Sequence, residues 1–137
     1  MRVCVLYEDA VSTTVCKDIA SGLADGIQLQ GHDVELVDMV RESGKIVSYF
    51  DYLVLGTSAI NFLGGKISSK SEAFLKQGGS VSGKRSFAFV SKKGLRQGKT
   101  LQSLMKVMES QGLYLTFSDI LPNRAYAKEV GKRLVIS

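Results

Sequence analysis

At 137 residues and 14.9 kDa the chain has the length of one ordinary domain, and an apolar fraction of 45% excludes a disordered polymer. Eighteen Lys and Arg outnumber thirteen Asp and Glu, for a net charge of +5. The excess is one-sided: residues 1–63 hold four basic and nine acidic side chains and residues 64–137 hold fourteen and four, which favours an anionic partner on the C-terminal part of the chain.

The first apolar run is Val3, Cys4, Val5, Leu6 and Tyr7. It is continuous rather than alternating, the pattern of a parallel strand covered on both faces. Residues 8–14 are polar. Val15, Ile19, Leu23 and Ile27 then recur every four positions with Ala20 and Ala24 beside them, which makes one helix face. Ser12, Thr13 or Thr14 is expected to cap this helix and Gly31 to stop it. A second strand is expected over residues 34–37, a short helix over 40–48, and a third, buried strand over 52–55 that ends at Gly56.

The second half repeats the rhythm. Residues 67–76 read as a helix stopped by Gly78 and Gly79, and residues 87–90 as a strand. Leu101, Leu104, Met105 and Met108 make a helix face that ends at Gly112, and residues 113–117 read as a fifth strand. After Pro122 a last helix is expected over 125–134 through Ala127, Val130 and Leu134, with Gly131 inside it at a cost of about 1 kcal/mol relative to alanine. Five strands alternating with five helices predict a three-layer α/β fold, a parallel sheet with helices on both faces, as a single domain over residues 1–137.

Several chemistries are excluded at once. Cys4 and Cys16 form no CxxC pair, and His32 is the one histidine, so no zinc or iron–sulfur site and no Ser/His/Asp set can be assembled. Both cysteines read as packing residues, and His32 as a surface turn residue. Free thiols, no apolar run long enough for a bilayer, and a strand that starts almost at Met1 point to a cytoplasmic protein with no membrane partner. The basic half lacks interleaved aromatics, so no nucleic-acid partner is expected. No GxGxxG or GxxxxGKS/T follows a strand, which removes dinucleotide and P-loop readings.

In a doubly wound sheet, ligands bind outside the carboxyl ends of the strands. The chemistry is therefore expected in three loops, residues 8–14, 57–65 and 91–98. The opening VCVLY, the helix DIASGLADGI, the stretches GHDVELVDM and DYLVLGTSAI, and GKRSFAFVSKKG before TLQSLMKVMESQG together resemble the flavodoxin family over nearly the whole chain. That resemblance implies strand order 2-1-3-4-5, a noncovalent FMN cofactor and electron transport with a redox partner protein. If the chain is an enzyme, the resemblance implies an FMN-dependent oxidoreductase.

The resemblance also implies site residues. Ser12, Thr13 and Thr14 would hold the phosphate, where hydroxyls and unpaired N–H groups meet a positive helix end. Thr57, Ser58, Ala59, Asn61 and Phe62 would line one side of the ring, with Phe62 stacking on it. Ser91, Lys92, Lys93 and Gly94 would line the other. No side chain is expected to do acid–base catalysis, since the flavin carries the chemistry.

The loops depart from the family in three ways. Aligning the helix on Ile19 and Ala20 puts Thr14 at the family's glycine and Cys16 at its final Thr, and lengthens the loop by two residues. Glu8 and Asp9 add negative charge beside the phosphate position. The third loop has cations at Lys92, Lys93 and Arg96 and no aromatic. Cations at the ring would favour the reduced anion, by about 1 kcal/mol or more per partly buried charge, which is similar to a flavin reductase. The same departures define the alternative, a flavodoxin-fold interaction or regulatory module without flavin, whose basic half meets an anionic small molecule or protein surface. The Glu8-Asp9 pair is also similar to that of response-regulator receivers, but Gly56 stands where a phosphoacceptor Asp is needed.

Overall fold

The continuous apolar runs build the centre of a sheet. The computed structural model describes residues 1–9, 13–58, 69–77, 79–92 and 96–136. Within them five strands, β1 (Arg2–Tyr7), β2 (Asp33–Asp38), β3 (Tyr52–Ser58), β4 (Arg85–Ser91) and β5 (Tyr114–Leu121), alternate with helices α1 (Val15–Leu29), α2 (Ser69–Gln77), α3 (Gln97–Ser110) and α4 (Arg124–Arg133). The strand order is β2-β1-β3-β4-β5, and every neighbouring pair is parallel. This is the doubly wound flavodoxin-like order, with its reversal between β1 and β3.

The period of two assigns each strand residue to a face. Val3, Val5, Tyr52, Val54, Phe87 and Phe89 pack with Leu23 and Ile27 of α1 and Ala127 of α4. Cys4, Leu6, Leu53, Leu55 and Ala88 pack with Phe74 of α2 and Leu104 and Met108 of α3. The three central strands are buried almost throughout. The two edge strands are only partly covered, so burial falls from the middle of the sheet outward.

The expected helix over residues 40–48 does not form; turns and irregular backbone occupy that stretch. Asp38 caps a single turn: its Oδ1 accepts from the Val40 N–H at 2.9 Å and the Arg41 N–H at 3.2 Å, as a helix cap does. The Glu42 N–H donates to the Asp38 carbonyl at 2.9 Å, but the next bond, from the Lys45 N–H to the Glu42 carbonyl, already spans only three residues. The described residues therefore contain four helices where five were expected. The last helix tolerates its glycine for a packing reason. A Cβ on Gly22, Gly26 or Gly131 would collide with backbone of the facing helix, so these three positions set how closely α1 and α4 approach.

Candidate functional site

The carboxyl ends of β1, β3 and β4 lie side by side, with Leu6 paired to Leu55 and Ser58 to Ser91. The ladder runs past the strands. The Glu8 N–H donates to the Gly56 carbonyl at 3.1 Å, and the Lys92 N–H to the Leu121 carbonyl at 2.9 Å. Thr57, Ser58, Ser91 and Lys92 are thereby brought together at one rim. Thr13 and Thr14 lie immediately before α1. Ser12, Ala59, Asn61, Phe62, Lys93 and Gly94 lie outside the described residues.

The acidic pair after β1 splits between the two faces. Glu8 is buried, and its Oε1 accepts from the Ser71 hydroxyl of α2 at 2.5 Å. Asp9 turns the other way, onto the first turn of α1. Its Oδ1 accepts from the Cys16 N–H at 2.6 Å and its Oδ2 from the Lys17 N–H at 3.0 Å. Those are the second and third N–H groups of the helix, the pair that a capping side chain ordinarily satisfies.

The expected cap is therefore corrected for the two threonines described here. Thr14 occupies the capping position but makes no capping bond through its side chain; its hydroxyl donates to Asp18 at 3.3 Å. The cap comes from Asp9, which lies five residues upstream of Thr14 and carries the full charge that suits a positive helix end. In the sequence Asp9 reads as negative charge beside the phosphate position and as half of an acidic pair, with no sign of a cap. A capping search limited to the residue before the helix misses a carboxylate that returns from the preceding strand.

Burial pushes the Asp9 carboxyl above its ordinary value, and the two helix N–H groups pull it back down. Beside it, the Cys16 thiol contacts both Asp9 and Ser91 and is pushed far up, first by burial and then by the Asp9 charge. Cys4, mid-sheet, is pushed up by burial as well. Both cysteines are free and buried, and neither is a nucleophile at neutral pH.

Ser91 donates to the Ser58 hydroxyl at 2.9 Å, both groups being buried. This bond ties the end of β4 to the end of β3. Thr57 differs from both. Its hydroxyl is buried and, among the described residues, is the one buried side-chain polar atom with no hydrogen-bond partner. An orphan of this kind costs about 1–3 kcal/mol unless something fills it. Lys92, at the outer rim, is exposed.

The two ends of FMN fare differently against these residues. At the phosphate end two of the helix N–H groups, those of Cys16 and Lys17, are taken by the Asp9 carboxylate, and Ser12 lies outside the described residues. At the strand ends three hydroxyls are buried: Thr57 follows Leu53 and Leu55 onto the face of α2 and α3, and the bonded Ser58 and Ser91 lie on the face of α1. Among the described residues no cluster of His, Cys, Asp and Glu could hold a metal ion, and no helix is long and apolar enough to cross a membrane.

A groove of about 480 Å³ between β5 and α4, away from this rim, is lined by Phe117, Tyr126, Val130 and Leu134, with Arg85, Arg133 and Asp119 as its charged residues.

No protein-family model and no curated protein matches the sequence. Solved structures do match. A flavodoxin from the domain Archaea superposes with a TM-score of 0.66 at 16% identity, over 97% of this chain and 95% of that one. Oxidised flavodoxin 2 from Bacillus cereus gives a TM-score of 0.71 at 15% identity, over 93% and 94%. Rubredoxin:oxygen oxidoreductase from Desulfovibrio gigas gives 0.72 at 17% identity over 95% of this chain, which spans 33% of that larger one. At these identities the likeness establishes the flavodoxin-like fold.

Proposed function

We propose that this chain is a cytoplasmic flavin-binding redox protein that holds the flavin ring at the carboxyl ends of β3 and β4. The observation that carries the reading is the buried Thr57 hydroxyl without a partner, at the edge of a flavodoxin-like sheet where such folds bind ligands. A bound flavin supplies the electron transfer itself.

The chain's own residues bind and orient. The Ser91–Ser58 bond holds two strand ends at fixed spacing, so the rim is formed before a ring arrives. Thr57 offers a donor and an acceptor to the ring's polar edge and is relieved of its desolvation cost when it bonds. Lys92 contributes positive charge at the rim, which favours a reduced, anionic ring over the neutral oxidised one. The redox partner is a protein with an acidic face, drawn to the basic half of the chain.

The test is a titration of the purified protein with FMN and, separately, with riboflavin, following flavin fluorescence. Saturable quenching by one protein per flavin is expected for at least one of them. Unquenched fluorescence of both contradicts the reading.

A second reading has an observation of its own. Asp9 fills the helix end that a phosphate would use, and the β5–α4 groove joins exposed Phe117 and Tyr126 to Arg133. A flavin-free module that takes an acidic, apolar segment into that groove fits both. It predicts partner capture that weakens steeply between low and physiological salt, as the screening length shrinks toward about 8 Å.

A further inference from the structure

We infer that the groove between β5 and α4 takes an acidic amphipathic helix of a partner protein, laid beside α4 over the edge of the sheet. The inference deepens the second reading above by naming the occupant, and it does not depend on whether the chain takes a flavin.

On this face the helices cover less of the sheet than on the other. Among the described residues α1 and α4 make up the layer, and Gly22, Gly26 and Gly131 let α4 settle onto α1 rather than onto β5. On the opposite face α3 does cover β5. The difference shows as exposed apolar surface. Tyr114 and Phe117 of β5 are 64% and 47% exposed, and Tyr126 of α4 and the following Val135 are 49% and 69% exposed. Aromatic side chains grouped with arginines at a groove are the composition of an interaction surface. Its floor is fixed in advance. Phe117 stands edge-on to Phe87, with ring centroids 5.2 Å apart, and the Thr116 hydroxyl is bonded to that of Tyr52 at 2.9 Å. Tyr126, Val130 and Arg133 form one stripe along α4 that faces the groove, the kind of ridge against which a second helix packs at about 8–10 Å.

Two observations select the occupant. The first disfavours an added strand. Thr116 is an extra residue opposite the Ser86–Phe87 step of β4, and Asp119 Oδ1 accepts from the Ile120 N–H at 2.8 Å; a bulge and a donor already in use both protect an edge from strand addition. A helix satisfies its own backbone and needs only side-chain contacts. The second observation is charge. Of the groove's charged residues, Arg85, Arg133 and Asp119, the one acid is turned onto its own backbone. The groove also belongs wholly to residues 64–137, which hold fourteen basic and four acidic side chains. A second copy docked by this edge would set two such halves against each other, whereas an acidic partner is drawn to it. The eight residues of β5 make about 26 Å of extended chain, a length that about 17 residues of helix match. The partner's apolar stripe, spaced i, i+3, i+4 and i+7, enters between Phe117 and Tyr126, and its carboxylates reach Arg85 and Arg133.

The experiment is fluorescence anisotropy with three labelled peptides of about 17 residues at fixed ionic strength. The first carries leucine at helical spacing with glutamate and alanine elsewhere. The second has the same composition with its leucines at alternate positions, as in a strand, and the third is the first with lysine for glutamate. The first is expected to bind at least about tenfold more tightly than either of the others, and Tyr126→Glu to weaken it by at least about tenfold. Tyr126 lies in the first turn of α4, where an acidic residue suits the helix end. Arg133→Gln is the second variant and should weaken the first peptide about threefold or more. Sedimentation of the protein alone is expected to show a monomer; a dimer that Tyr126→Glu dissolves assigns the groove to a second copy and overturns the inference. Tightest binding of the alternating peptide overturns the helix and leaves the second reading standing. Binding of none of the peptides, equal binding of the lysine peptide, or binding that neither variant weakens overturns both.

Discussion

Asp9 shows how a side chain can cap a helix from a position that looks remote. Because burial raises its carboxyl above the ordinary value, the folded chain holds that proton more tightly than the unfolded chain does. Folding then takes up a proton in the window that opens near the ordinary carboxylate value, about pH 3.9, and closes above the raised folded one. Through that window Asp9's contribution to stability falls as pH rises, and the loss persists at neutral pH. Chemical unfolding at several pH values between 3 and 7 should accordingly give Asp9→Asn a smaller loss on going to neutral pH than the wild type. Identical profiles would show that the helix N–H groups cancel the effect of burial. Ser71 makes a complementary case. Its hydroxyl donates to the buried Glu8 carboxylate, so Ser71→Ala should lower stability by about 1–3 kcal/mol in urea unfolding.

The helix pair α1–α4 ties sequence to packing at the next scale. Alanine in place of Gly26 would drive its Cβ into the Lys128 carbonyl and the backbone at Gly131. Backbone cannot turn aside as a side chain does, so Gly26→Ala should destabilise by about 1–3 kcal/mol, although alanine is the better helix former. A stabilised variant in thermal unfolding would mean that the helices have room to part. The same contact explains what was legible in the sequence and what was not. The four-residue recurrence of Ile19, Leu23 and Ile27 marked α1 and its buried face. Gly131 read only as a local penalty, because its reason lies on another helix about a hundred residues away. Residues 40–48 failed in the opposite way: a short helix was expected there, and the one turn that Asp38 caps through the Val40 and Arg41 N–H groups does not continue into a helix.

Across the molecule, continuous apolar runs separated by amphipathic helices were enough to indicate a parallel sheet, because both faces of β1, β3 and β4 are buried. The edge strands were harder to bound. β5 runs to Leu121, four residues beyond the expected end, through the partly exposed Ser118, Asp119 and Ile120, where no hydrophobic run signals a strand. The site was the least legible part. Its deciding features are a carboxylate that bends back onto a helix and a hydroxyl that lacks a partner, and neither leaves a pattern in the order of residues. The uneven charge, with fourteen of eighteen cations in residues 64–137, acts at this scale too. It should make capture of an acidic redox partner fall as salt rises, and salt-insensitive capture would point to an apolar contact instead.

The central claim is that a flavin ring occupies the rim beside Thr57, and one measurement addresses it most directly: riboflavin fluorescence titration of the wild type beside Thr57→Val. Valine keeps the shape and removes the orphaned hydroxyl, so the ligand-free variant should be no less stable than the wild type. The account predicts saturable one-to-one quenching by the wild type and binding about tenfold weaker in the variant, the equivalent of one lost hydrogen bond of about 1.4 kcal/mol. Equal affinities for both proteins, or fluorescence that neither protein quenches, would contradict it.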